Sequence, residues 1–145
     1  MIKEVQLRAE QTGNAIPDFG PIKSSEEAEV YIRHFWKDDI QIFESFFILL
    51  LNRANQPIAW AKVSQGGVAG TVVDIKIICK YAIDVLASSV ICAHNHPSGT
   101  LRPSDADHTL TKTLKKALDT LGIQLLDHLI LTKTDYYSMA DKEEI

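Results

Sequence analysis

The sequence predicts an α/β fold, a twisted mixed β-sheet flanked by helices in one domain over residues 1–145, on three observations. Two strongly apolar runs, Glu44 to Leu51 and Ser88 to Ala93, have the length of buried strands and are too short for surface helices. Stretches with apolar residues at helical spacing alternate with them, beginning near Ser24, Ile75 and Ser104. No internal repeat, low-complexity tract or linker interrupts this order.

Each element has its own local signal. Residues 2–8 form a short strand in this reading, and Asn14 to Pro21, with two prolines and a glycine, forms a loop. Ser24 caps a helix with Glu27 three residues on, and Ala28, Tyr31, Ile32 and Phe35 share one face. His34 lies in that helix with a structural role. Glu44 to Leu51 is a central strand, Asn52 to Pro57 turns the chain, and Ile58 to Val63 returns as a hairpin partner. Gly66, Gly67 and Gly70 mark a glycine loop able to border a groove. A helix over Ile75 to Leu86 and a strand over Ser88 to Ala93 follow. After the polar segment His94 to Pro103, a long helix opens at Ser104, carries Leu110, Leu114, Leu118 and Leu121 on one side, and stops at Gly122. Strands over Ile123 to Thr132 and Tyr136 to Met139 complete the sheet.

Composition narrows the function classes. Hydrophobic residues make up 46% and charged residues 23% of the 145, a globular profile able to bury roughly 70% of the unfolded surface. A net charge of -4 with interspersed signs provides no broad positive field, so nucleic-acid binding gains no support from charge. Cys79 and Cys92 sit in apolar surroundings without CxxC spacing, which argues against a disulfide framework or a four-thiolate site. The start, Met1 to Val5, lacks the apolar core of a signal peptide, and no apolar run approaches the ~18 residues of a membrane span. A cytoplasmic location without membrane contact is the expectation.

The chemistry concentrates after the second apolar strand. Side chains alternate along a strand, so His94 and His96 project to one side, roughly 6.6 Å apart along the backbone, while Asn95 points away. Two imidazoles so placed suit a shared zinc ion. Asp107, one turn into the following helix, can supply a third ligand and leave the fourth position open to water. The competing assignment makes Ser104 and Asp107 a capping box and the histidines ordinary structural groups. Two histidines and a carboxylate also suit non-haem iron.

Taken together, His94-Asn95-His96-Pro97-Ser98-Gly99, Pro103-Ser104 and Asp107 resemble the HxH-x7-S-x2-D motif of the JAB/MPN metalloprotease superfamily, in its bacterial RadC-like branch. The similarity runs over roughly residues 25–140 and includes the strand after Glu44, the glycine loop and Leu125 to Ile130. The resemblance implies a cytidine-deaminase-like sheet and a zinc-dependent, isopeptidase-type site. In it His94, His96 and Asp107 are the metal ligands, Ser104 stabilises an oxyanion and Glu44 is the general acid/base. Glu44 also qualifies on position, as the only carboxylate at the mouth of an apolar strand. Asp127 and His128 are candidates for orienting a ligand imidazole or for a structural hydrogen bond in the sheet. His108, beside Asp107, faces elsewhere and is not counted as a ligand.

Two departures bear on function. Relatives in this branch often carry a preceding helix-hairpin-helix region, for which this N-terminus is too short, and Val73-Asp74-Ile75-Lys76 replaces a frequent Pro-Arg-Glu sequence. The expectations are a zinc hydrolase of peptide or isopeptide bonds with an unidentified peptide or protein substrate, a DNA-repair-associated accessory protein, or a catalytically idle binding module. An exposed sheet edge also permits a homodimer. A zinc deaminase is rejected, because that chemistry needs HxE with PCxxC and position 96 is His.

Overall fold

Ser24 stands as N-cap of α1 (Ser25–Ile32) in extended conformation, its hydroxyl accepting the Glu27 amide at 3.1 Å. The Glu27 carboxylate reaches past the cap to accept from the Lys23 amide at 2.6 Å, so Ser24 and Glu27 secure the entry to the helix without the reciprocal bond of a full capping box. Ala28, Tyr31 and Ile32 are buried, and a 3-10 turn (Arg33–Phe35) carries Phe35 into the same core. The computed structural model describes residues 1–6, 10–67 and 72–145. Residues 1–6 form no strand and lie exposed. The strand expected over residues 2–8 is therefore not formed in its described part: no neighbour offers it a ladder, and its apolar residues Ile2 and Val5 find no core. Gly70 of the expected glycine loop lies outside the described residues.

One mixed sheet holds β1 (Ser45–Leu51), β2 (Pro57–Gln65), β3 (Ser89–Asn95), β4 (Gln124–Leu131) and β5 (Tyr136–Ser138) in the order β2-β1-β3-β4-β5. Only β3 and β4 are parallel, and the crossover joining them contains α3 (Asp105–Thr120), as a parallel pair requires. β1 and β3 are buried along their whole length, which is why both are apolar throughout instead of alternating. On one sheet face Phe47, Leu49, Leu51, Ile91 and Leu129 pack against α1. On the other, Phe46, Ile48, Leu50, Val90 and Cys92 meet α3 and α2 (Ile75–Asp84) through Leu114, Leu118, Ile78 and Ala82. Each of the buried Phe, Leu, Ile and Val side chains contributes about 1.5–3 kcal/mol relative to exposure.

The helices end close to where the sequence places their stops. Leu121 departs from the expected apolar stripe: it sits at the C-cap of α3 and is 45% exposed. Gly122 follows at φ 70°, the left-handed conformation that lets the chain leave the helix without strain.

Topology places the chemistry. Because β1 runs antiparallel to β3, the start of β1 and the end of β3 share one end of the sheet, with Phe46 opposite His94. Glu44 immediately precedes β1, and the N-terminus of α3 returns to the same end.

Candidate metal centre

His94 is the penultimate residue of β3 and lies on the sheet face that packs against α3. It is 2% exposed, its ring stacked on that of Phe46 at 6.1 Å between centroids. His96 follows β3, its amide extending the parallel ladder to the Leu131 carbonyl at 3.0 Å. The turn after it closes through the Gly99 amide on the His96 carbonyl, with Gly99 at φ 88°. The His94 and His96 Nε2 atoms approach to 2.9 Å. His96 Nδ1 donates to the Thr100 carbonyl at 2.7 Å, so in the neutral ring the Nε2 lone pair faces His94 and Asp107.

Asp107 meets both rings. One carboxylate oxygen is 3.3 Å from His94 Nε2 and the other is 3.3 Å from His96 Nε2. The capping box is also present: the Ser104 amide donates to Asp107 Oδ2 at 2.9 Å, and the Asp107 amide donates to Ser104 Oγ at 3.0 Å. The two readings of Asp107 thus coexist in one side chain, the cap fixing the direction in which the carboxylate faces the histidines. Burial pushes the Asp107 carboxyl up, but His94 and His96, which donate to it from Nε2 when their rings are protonated, outweigh that effect and hold the group well below the usual carboxylate range. The same hydrogen bond raises His96 above its ordinary value, against burial.

Glu44 enters from the other side of the chain. A carboxylate oxygen of Glu44 and ring nitrogens of His94 and His96 all lie within 4.8 Å of one another. Its backbone is held by the strand partner, the Gly66 amide donating to the Glu44 carbonyl at 2.9 Å. All five expected site residues are therefore gathered at one end of the sheet. The histidine pair is common to two donor sets, one completed by Asp107 and one by Glu44. Two imidazoles with a carboxylate are the donor chemistry of a divalent cation site.

Three further residues support the site. Asn95 points away from the histidines as the strand alternation requires, and its buried amide accepts from the Ser45 amide at 2.8 Å and donates to the Ile40 and Phe43 carbonyls at 2.7 and 2.8 Å. It ties down the segment leading to Glu44, a role that no motif spacing reveals. His128 Nε2 lies 2.7 Å from His94 Nδ1, and His128 Nδ1 lies 2.6 Å from the hydroxyl of Thr111. Thr111 carries no sequence signal beyond its place one turn after Asp107. Of the adjacent pair in β4, only His128 reaches the histidine pair, through His94. Asp127 accepts from Ser138, the Ala140 amide and the His128 amide and so joins β4 to the segment after β5. His108 faces Glu144 instead, at 3.8 Å, and His34 binds the Val30 carbonyl. Cys79 and Cys92 are both free thiols.

The model of the RadC-like JAB domain matches residues 22–144. The chain belongs to the RadC-like JAB domain family. A UPF0758 protein of Flavobacterium johnsoniae is 46% identical over 99 residues, covering 68% of this chain and 43% of the relative. Counterparts from Porphyromonas gingivalis (45% over 100 residues; 68% and 44% covered) and Finegoldia magna (40% over 112 residues; 77% and 49% covered) carry the same description. This RadC-like chain thus spans less than half the length of these curated relatives. Among its described residues no helix is long and apolar enough to cross a membrane.

Proposed function

We propose that this RadC-like domain is a zinc-dependent hydrolase of peptide or isopeptide bonds, with His94, His96 and Asp107 holding the ion. The observation that carries the reading is the placement of the Asp107 oxygens, each 3.3 Å from a different imidazole nitrogen. Donor atoms about 2.0–2.1 Å from a tetrahedral zinc are separated by about 3.3 Å, so the side chains need little rearrangement. Glu44, whose carboxylate lies within 4.8 Å of the histidine nitrogens, is assigned to proton transfer instead of ligation. A bound zinc ion lowers the pKa of its water and polarises the scissile carbonyl.

The remaining work belongs to the chain. Glu44 accepts the proton released as water adds to the carbonyl carbon and delivers it to the departing amine nitrogen. Ser104 uses an oxygen lone pair for the cap, which leaves its hydroxyl proton to donate to the developing oxyanion near the N-terminus of α3. The -4 net charge gives a DNA-associated role no electrostatic support.

Glu44→Gln tests the proposal. Zinc content, by elemental analysis, is expected to stay near that of the unaltered chain while cleavage of a peptide and isopeptide library disappears. Unchanged cleavage in Glu44→Gln overturns the assignment of Glu44. Absence of metal-dependent cleavage in the unaltered, zinc-loaded chain favours a binding module that keeps the metal site.

A further inference from the structure

We infer that Thr111 and His128 form a hydrogen-bond relay that fixes the tautomer of His94, so that the backbone of one ligand residue, Asp107, orients the ring of another. The inference rests on the metal reading for its consequence but on hydrogen-bond direction alone for its geometry.

The direction follows from what each atom can do. The Asp107 carbonyl oxygen can only accept, and it lies 2.7 Å from Thr111 Oγ1. We assign the single hydroxyl proton of Thr111 to that carbonyl, a nearer and stronger acceptor than the Met139 sulfur at 3.7 Å. At 2.6 Å from His128 Nδ1, the same oxygen then acts as acceptor, and Nδ1 of His128 carries a proton. A second proton on His128 would place a full charge in a ring 1% exposed and edge-on to Phe46 at 5.4 Å, which is costly without a carboxylate partner. His128 Nε2 is thus a lone pair, and His94 Nδ1, 2.7 Å away, donates to it. In the neutral ring the remaining nitrogen of His94, Nε2, then carries the lone pair and faces His96 and Asp107, the form in which imidazole binds a metal.

The placement of these residues is a consequence of the fold. Thr111 lies one helical turn beyond Asp107, so its hydroxyl reaches the carbonyl four residues back. His128 pairs with Cys92 in the parallel ladder, two residues below His94 on the same face. A relay from helix to central strand therefore passes through the neighbouring strand, and all three side chains are buried. His128 and Thr111 are positioning residues, acting through His94 without facing the reacting atoms.

The test uses histidine-labelled full chain, with the tautomer of His94 read by long-range proton–nitrogen-15 correlation at mildly alkaline pH, metal-free and zinc-loaded, beside zinc titration. In the unaltered chain His94 is expected as the Nδ1-protonated tautomer. Thr111→Val, which keeps shape and loses the hydroxyl, is expected to mix the tautomers and weaken zinc on the order of 10–100-fold. Thr111→Ser is expected to restore both, a recovery that a packing role for the threonine methyl would not produce. His94 in the opposite tautomer in the unaltered chain overturns the relay, as does a folded Thr111→Val with unchanged tautomer and affinity. A chain that binds no zinc yet shows the expected His94 tautomer, lost in Thr111→Val, overturns the metal reading and leaves the relay standing.

Discussion

Asp107 and Ser104 close a capping box at the start of α3 while the Asp107 carboxylate simultaneously faces His94 and His96 at 3.3 Å. Stability and metal affinity are therefore separable by mutation. Ser104→Ala keeps the backbone amide that orients Asp107, so it is expected to retain zinc, lose about 1 kcal/mol of stability and slow turnover on the order of 100-fold. Asp107→Asn can still accept the Ser104 amide and is expected to keep most of the stability but lose zinc. Urea unfolding and elemental analysis of both variants check the separation.

His96→Ala removes one donor of the pair spaced 2.9 Å apart. Near one zinc per chain is expected before the change and none after it. At free zinc about a hundred times Kd, binding stabilises the folded chain by about 2.7 kcal/mol, a rise in Tm on the order of 5–10 °C for a domain of this size. Thermal unfolding with zinc and with chelator should show that rise in the unaltered chain only.

Asn95 satisfies three backbone groups at once. Asn95→Ala strands the Ser45 amide and two carbonyls, at about 1–3 kcal/mol for each group that water cannot reach. It also frees the segment that carries Glu44. Turnover is expected to fall much more than zinc affinity; equal losses in both would refute a role specific to Glu44.

Burial pushes the Asp127 carboxyl above its ordinary value of 3.8, against hydrogen bonds from Ser138, Ala140 and His128. The folded chain then binds more protons than the unfolded one between 3.8 and the raised value. Stability from this group is fully present below 3.8 and is lost as pH rises through the folded pKa. Asp127→Asn removes the effect, so its stability relative to the unaltered chain should improve as pH rises across that window. Denaturant titrations at several pH values in chelator, where the ligand groups contribute equally to both proteins, measure the difference.

Much of this was legible along the chain. Apolar runs of strand length announced β1 and β3 because strands buried on both faces have no polar side to show. The caps at Ser24 and Ser104 were readable because N-capping is local, the side chain reaching an amide three residues on. Over its described residues 2–6 the strand expected at 2–8 is not formed, for the opposite reason, since β structure needs a partner that local pattern does not supply. Leu121 kept the helical spacing and still emerged at the surface, because the helix had ended beneath it.

By itself the sequence determined the α/β class, singled out His94, His96 and Asp107 as candidate ligands, and set the alternation that turns Asn95 away from the histidines. Only the tertiary structure decided that Glu44, fifty residues before His94, stands beside it, and that His128 and Thr111 connect Asp107 to His94. The physical reason is range. Spacing within one strand or one helix turn is fixed by backbone geometry, whereas contacts between β1, β3, β4 and α3 depend on strand order and direction, which the whole core selects.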